Sequence, residues 1–174
     1  MEVNRFIALT RFAKEKFIEG GLPADRIAVK PNFVADPAAQ RVPGAVRRGG
    51  ALFVGRLNPE KGVGTLLQAW HDLAVPLRII GDGPLATRVE QCDNRAVKGL
   101  GRKAQPEVIK EMRRAAFLIM PSEWYETFGL AIIEAFATAL PVIASRLGAM
   151  TELIDDRVTG LLFQPGDPKS CLCK

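Results

Sequence analysis

The sequence has few of the residues that build metal sites or disulfide frameworks. Its 174 residues include 3 cysteines and 1 histidine. Cys92, Cys171 and Cys173 are odd in number and form no Cys-x-x-Cys pair. The ligand spacing of protein zinc sites is therefore missing, and we predict no metal site.

Long apolar runs and blocks of positive charge are missing as well. Residues 1–5 lack the apolar core of a signal peptide, and the most apolar long stretch, 129–144, is interrupted by Glu134, Thr138 and Pro141. We therefore predict no transmembrane span and a reducing, cytoplasmic setting, and we leave open a peripheral association with a membrane. The net charge of +5 favours an anionic ligand, but no run of five Lys or Arg indicates a nucleic-acid groove.

The composition, with 48% hydrophobic and 25% charged residues, is that of an ordinary globular domain. We predict one domain over residues 1–168. It begins with a strand, a helix and a strand in 1–30, and Thr10 is predicted to cap a helix from about Arg11 to Glu19. A connector follows in 31–50 and is rich in Pro, Gly, Ala and Arg. The core follows in 51–168, and 169–174 form a tail.

From residue 51 onward, short apolar runs alternate with amphipathic segments, which is typical of βα units on a parallel sheet. The predicted strands are 51–54, 77–80, 96–98, 117–120, 141–144 and 160–163. The predicted helices are 62–73, 85–92, 105–115, 129–139 and 151–155. This pattern predicts an α/β fold with a doubly wound, Rossmann-like parallel sheet of about six strands and helices on both faces. In such a sheet, ligands bind beyond the carboxyl ends of the strands.

The loop 55–62, which follows the first core strand, carries Arg56 and Lys61 between two glycines. A guanidinium fork and a compact ammonium ahead of a helix start can neutralise a diphosphate without a metal ion. A solvated basic loop explains the same residues when they are considered alone. The position after a strand favours diphosphate binding.

The run Gly81-Asp-Gly-Pro-Leu-Ala86 has the G-x-G-x-x-A form of a dinucleotide fingerprint. The acidic residue that should follow about twenty positions later is missing, because Leu100-Gly-Arg-Lys103 stands there. We therefore favour a tight turn that abuts the ligand, with a nicotinamide site as the alternative.

Glu126 and Glu134, separated by seven residues, bracket the predicted start of a helix. Carboxylates bind hydroxyl groups, and the unpaired N–H groups of a helix start bind anions, so the combination favours a nucleotide-sugar pocket. The alternative is ordinary helix stabilisation by glutamate. Nothing in the spacing places the two carboxyl groups at the distance of a hydrolase pair.

With these motifs, the chain resembles the C-terminal, donor-binding half of a retaining group 1 glycosyltransferase of the GT-B fold. The resemblance covers nearly the whole chain. It rests on the order and spacing of Val54-Gly-Arg-Leu57 with Glu60-Lys-Gly62, Gly81-Asp-Gly-Pro84, Pro121-Ser122, Glu126 to Glu134 with Phe128-Gly-Leu130, Pro141-Val142 and Gly160-Leu-Leu-Phe163.

The resemblance implies a role for each matching residue. Arg56 and Lys61 would hold the donor diphosphate, Glu126 would face the donor sugar, and Glu134 would bind the ribose. The residues with an implied catalytic role are Arg56, Lys61 and Glu126, and those with an implied donor-binding role are Gly55, Gly81, Gly83, Lys98, Gly99, Leu100, Phe128, Gly129, Leu130 and Glu134.

The resemblance also implies a UDP- or GDP-sugar as substrate, no metal and no cofactor, and an acceptor-binding N-terminal domain that this chain lacks. An isolated donor half should bind its donor but barely turn over. The alternatives are a dinucleotide-binding module and a domain without a working pocket. Gly148-Ala149 replaces the two adjacent glycines usual in the family, and the tail 169–174 matches nothing in it, so we interpret the tail as an artefact of truncation.

Overall fold

A two-stranded parallel sheet opens the chain in the computed structural model, which describes residues 3–35 and 49–172. It pairs β1 (Phe6–Ala8) with β2 (Ile27–Val29). Helix α1 (Arg11–Glu19) connects them and begins as predicted, because the Thr10 hydroxyl accepts a hydrogen bond from the Ala13 N–H at 3.0 Å. Most of the predicted connector, residues 36–48, lies outside the described residues, as does Cys173.

The main sheet has six parallel strands in the order β5-β4-β3-β6-β7-β8. This confirms the predicted α/β, doubly wound sheet. Its strands are β3 (Ala51–Val54), β4 (Leu77–Ile80), β5 (Val97–Gly99), β6 (Phe117–Met120), β7 (Val142–Ser145) and β8 (Gly160–Phe163). Its helices are α2 (Val63–Ala69), α3 (Ala86–Glu90), α4 (Gln105–Arg114), α5 (Leu130–Ala137) and α6 (Ala149–Leu153).

Two strands begin one residue later than predicted for local chemical reasons, and helices α2 to α6 differ from their predicted bounds by up to four residues. Strand β7 begins at Val142 and not at Pro141, because proline has no N–H to donate to a neighbouring strand. Strand β5 begins at Val97, because the N–H of Ala96 donates to the Asn94 side chain at 2.8 Å.

The core fills both faces of the main sheet. Along β3, Phe53 belongs to a buried cluster with Leu66 of α2, whereas Leu52 belongs to a second cluster with Met112 of α4. This alternation is the two-residue period of a strand with both faces covered. Cys171, in the predicted tail, is 2% exposed and belongs to the first cluster.

The strand order reverses between β3 and β6, which are neighbours in the sheet although β4 and β5 separate them in sequence. Such a reversal is the topological switch point at which open α/β sheets bind ligands. A ligand site is therefore expected at the loops after β3 and β6. No helix in the described part of the chain has the length and apolarity needed to cross a membrane.

Candidate functional site

The loops after β3 and β6 are joined at the switch point. Gly62 has φ +67°, and a Cβ atom there would lie 1.8 Å from the carbonyl oxygen of Pro121. The Glu123 N–H donates to the Glu60 carbonyl at 2.9 Å, and the Thr65 hydroxyl donates to the Glu123 carboxylate. Backbone contact and hydrogen bonds therefore fix the relative position of the two loops.

Lys61 and Glu126, one from each loop, form an ion pair with 2.5 Å between Nζ and Oε1. The hydroxyl of Ser122, a buried residue, donates to the same oxygen at 2.7 Å. The side chains of Lys61 and Glu126 are 20% and 11% exposed. Among the described residues nothing engages Oε2 of Glu126, which leaves that oxygen to accept a hydrogen bond from a ligand.

Arg56 lines a cavity of about 330 Å³ at the carboxyl ends of β3 and β4. Arg102 and Lys103 line it too, and Asp82 is its acidic residue. The cavity therefore gathers three cations against one carboxylate, which suits an anionic ligand. Its other lining residues are Val54, Gly55, Ile80, Gly81 and Val108.

Arg102 and Lys103 were not among the predicted site residues. The sequence signal was present, because both cations follow β5 at the carboxyl edge of the sheet, where ligands of such folds bind. Lys98, Gly99 and Leu100 lie just before them, and none of the three lines the Arg56 cavity.

Gly81 and Gly83 allow two loops to approach closely. A Cβ atom on Gly81 would lie 1.8 Å from the Gly55 carbonyl oxygen, and one on Gly83 would lie 2.7 Å from the Leu57 carbonyl oxygen. Both have large positive φ values, +149° and +145°. Contact with the β3 loop therefore accounts for both glycines without a dinucleotide.

Glu134 lies in α5 and accepts a hydrogen bond from the Gln105 side-chain amide at 2.9 Å. It lines a second, smaller cavity of about 140 Å³ together with Val34, Ala35, Gln105, Pro106, Ile109 and Ala137. Helix α4 contributes to both cavities, through Val108 to one and through Gln105 and Ile109 to the other. Among the described residues, Glu126 and Glu134 thus have different hydrogen-bond partners.

The start of α5 lies at the same edge of the sheet. Phe128 is buried and anchors the turn, Gly129 precedes the helix with φ +80°, and Leu130 is half exposed. The first N–H groups of an α-helix have no partner inside the helix and carry a partial positive charge. Residues 128–130 can therefore offer backbone donors to an anion.

Gly148, which precedes α6, lies beneath two aromatic rings. A Cβ atom on Gly148 would lie 3.0 Å from Phe12 and 3.1 Å from Tyr125. The two rings meet edge to face, with 4.8 Å between their centroids. Ala149, where the family usually has a second glycine, is fully buried as the first residue of α6.

A family model described as "Glycosyl transferases group 1" matches residues 48–172. An uncharacterized glycosyltransferase of Methanocaldococcus jannaschii is 40% identical in an alignment of 124 positions, which covers 67% of this chain and 34% of that protein. The sulfoquinovosyl transferase of Arabidopsis thaliana is 34% identical over 129 residues, 71% of this chain and 25% of that protein. The chain thus spans about a third of the first relative and a quarter of the second.

Solved structures resemble the chain over nearly its whole length. Anabaena HepE in complex with UDP and glucose superimposes with a TM-score of 0.84 at 24% identity, over 97% of this chain and 51% of that one. Sucrose-phosphate synthase from Thermosynechococcus elongatus superimposes with a TM-score of 0.80 at 23% identity, over 97% of this chain and 47% of that one. At these identities the likeness concerns the fold.

Proposed function

Because this chain belongs to the group 1 glycosyltransferases and has the fold of one half of a GT-B enzyme, we propose that it is the donor-binding part of a retaining sugar transferase. The enzyme would move a sugar from a UDP- or GDP-sugar to a glycan, lipid or other acceptor. The complexes of HepE with UDP and with UDP-glucose support a nucleotide-sugar donor. The substrate itself is the only small molecule the proposal requires, with no cofactor and no metal.

The ion pair between Lys61 and Glu126 at the switch point is the observation that carries this proposal. In this pair the Lys61 ammonium, which can bind a phosphate, lies 2.5 Å from the Glu126 carboxylate, which can bind hydroxyl groups. Both side chains are largely buried. A nucleotide-sugar has both groups next to each other, since its sugar is attached directly to the diphosphate. Lys61 would meet the distal phosphate, and Glu126 would accept from a sugar hydroxyl through its second oxygen.

Arg56 would share the charge of the diphosphate with Lys61. During transfer, the bond between C1 of the sugar and the phosphate oxygen breaks, and negative charge grows on the departing diphosphate. Cations that are already in place stabilise that charge more than they stabilise the bound donor, and this difference accelerates the reaction. Arg102 and Lys103, which line the same cavity, extend this positive surface toward the rest of the nucleotide.

Glu134 would bind the ribose hydroxyls from its own cavity, and the N–H groups of residues 128–130 would meet the sugar and the distal phosphate. Gln105 orients the Glu134 carboxylate by donating to one of its oxygens at 2.9 Å. This leaves the other oxygen to accept from a ribose hydroxyl. The base of the nucleotide would lie beside Lys98, Gly99 and Leu100.

The acceptor would be held by a partner domain, because the chain spans about half of the solved structures that it resembles. This half alone would bind donor and barely turn over. We place the whole enzyme in the cytoplasm, on a membrane surface if its acceptor is a lipid.

A thermal-shift comparison of UDP, GDP and NADH tests this proposal, because a ligand that binds only the native state raises its melting temperature. We expect UDP or GDP to raise the melting temperature and NADH to leave it unchanged. A rise with NADH alone would support a dinucleotide-binding module. No rise with any of the three would indicate a domain without a working pocket.

A further inference from the structure

Trp124 is a large aromatic side chain that the fold leaves in solvent beside the candidate site. Its side chain is 71% exposed, whereas the other tryptophan, Trp70, is 2% exposed. In the described part of the chain, Trp124 has no hydrogen-bond or ring partner. In most folds the indole ring of a tryptophan is buried and its N–H donates a hydrogen bond. An exposed indole is therefore a candidate for binding a ligand.

The residues on both sides of Trp124 are fixed to the rest of the molecule. Ser122 and Glu126 are hydrogen-bonded to each other, and Glu123 is bound to the β3 loop through its backbone N–H and to α2 through its carboxylate. The Tyr125 ring packs against Phe12. The loop therefore presents Trp124 from a rigid base, and little conformational entropy is lost when a ligand packs on it.

Building on the proposed function, in which a partner domain holds the acceptor, we propose that Trp124 supports the acceptor from this chain, as the platform on which one of its sugar rings stacks. Trp124 and Glu126 are two residues apart, so their Cα atoms lie at most about 7 Å from each other, which is on the scale of one sugar ring. The C–H groups on one face of a pyranose are weakly positive and apolar, and they complement the negative face of an indole.

The exposure of the side chains distinguishes the acceptor from the donor. The donor sugar is tied to the diphosphate and must reach the Lys61–Glu126 pair, whose side chains are 20% and 11% exposed. Trp124 is 71% exposed and so lies outside that enclosure. A ring stacked on Trp124 is therefore a second sugar, which reaches the Lys61–Glu126 pair from the solvent side.

Tryptophan fluorescence tests this assignment, because the chain has only two tryptophans and one of them is buried. The probes are methyl pyranosides of glucose, galactose, mannose and N-acetylglucosamine, titrated in the presence of saturating UDP. We expect at least one to shift the emission saturably with a Kd of roughly 1–30 mM, as suits one exposed stacking contact. Trp124→Phe should abolish the fluorescence change.

Saturation-transfer NMR measures how much Trp124 contributes to the affinity for the glycosides. Trp124→Ala should weaken glycoside binding by about tenfold or more, Trp124→Phe should retain most of it, and UDP affinity should change by less than about twofold in both. Phe33→Ala is the matched control, because Phe33 is an 87% exposed aromatic that lines neither cavity of the candidate site. It should leave glycoside binding unchanged.

The outcomes separate this inference from the proposed function. If UDP does not bind, the proposed function is wrong, whether or not a glycoside changes Trp124 emission. If UDP binds and no glycoside changes Trp124 emission, the stacking platform is wrong and the donor site stands. A change in Trp124 emission with anionic phospholipid vesicles but with no glycoside would also overturn the stacking platform. Trp124 would then be assigned to a membrane-binding surface.

Discussion

Gly62 and Pro121 approach so closely that a Cβ atom on residue 62 would stand 1.8 Å from the Pro121 carbonyl oxygen. The two residues lie in the loops after β3 and β6, so this contact sets the width of the switch point. It also brings Lys61, the neighbour of Gly62, to Glu126. A side chain at position 62 therefore disturbs both the fold and the candidate site.

We predict that Gly62→Ala destabilises the chain by about 2–4 kcal/mol, since it adds a backbone clash to the cost of a positive φ. Gly166→Ala is the matched control, because Gly166 has φ +71° and no atom within 4 Å of its would-be Cβ. It should cost only about 1 kcal/mol. Urea unfolding of both variants measures the difference, and equal losses would show that the Pro121 contact can relax.

The Lys61–Glu126 pair should stabilise the fold more than an exposed ion pair does. We predict that a double-mutant cycle with Lys61→Ala and Glu126→Ala gives a coupling of about 1–3 kcal/mol, because either charge alone is left partly buried without its partner. The cycle on Lys16→Ala and Glu19→Ala, whose side chains are 40% and 61% exposed, should give about 0.5 kcal/mol or less. Similar coupling in both cycles would contradict an enclosed pair.

Glu152 caps α1 from a distant part of the chain. Its two carboxylate oxygens accept from the N–H groups of Arg11 and Phe12 at 3.0 and 3.1 Å. We predict that Glu152→Ala costs about 1–2 kcal/mol and speeds amide hydrogen exchange in α1. Glu152→Gln, which keeps one acceptor, should cost less, and the exposed Glu90→Ala should change neither quantity.

The carboxyl group of Asp156 should make stability depend on acid pH. The Leu162 N–H and the Arg146 guanidinium, at 2.9 and 2.5 Å, lower its pKa from the usual 3.8. A carboxyl group with a lowered native pKa stabilises the fold above its unfolded value, and that stability is lost as pH falls through the native value. We therefore expect Asp156→Asn to lose stability at pH 7 and to flatten the acid limb below about pH 4. The exposed Asp25→Asn should leave the stability at pH 7 unchanged. An unaltered acid limb in Asp156→Asn would contradict the account.

Local sequence signals predicted the elements and the family. Thr10 predicts the start of α1 because an N-cap hydrogen bond spans three residues, and apolar runs predict the strands because both sheet faces are buried. The ordered motifs predicted a group 1 glycosyltransferase of the GT-B fold, which is confirmed.

Contacts distant in sequence were not predictable. Glu152 lies 141 residues from Arg11, and Lys61 lies 65 residues from Glu126. Pairing of this kind depends on which loops the sheet order brings together, and no local pattern encodes it. Arg102 has a local signal, because it follows β5 at the carboxyl edge of the sheet, but only the folded chain shows that it shares a cavity with Arg56.

Titration calorimetry with UDP and GDP on Arg56→Ala, Lys61→Ala and the control Arg95→Ala tests the central claim most directly. Arg95 is exposed and precedes β5, at the opposite edge of the sheet from the site. We predict that one nucleotide binds the unmodified chain and the Arg95 variant alike, and that each of the other variants binds it about tenfold or more weakly, since each loses a charge-assisted contact. Failure of both nucleotides to bind, or equal affinity in all three variants, would contradict a donor diphosphate at Arg56 and Lys61.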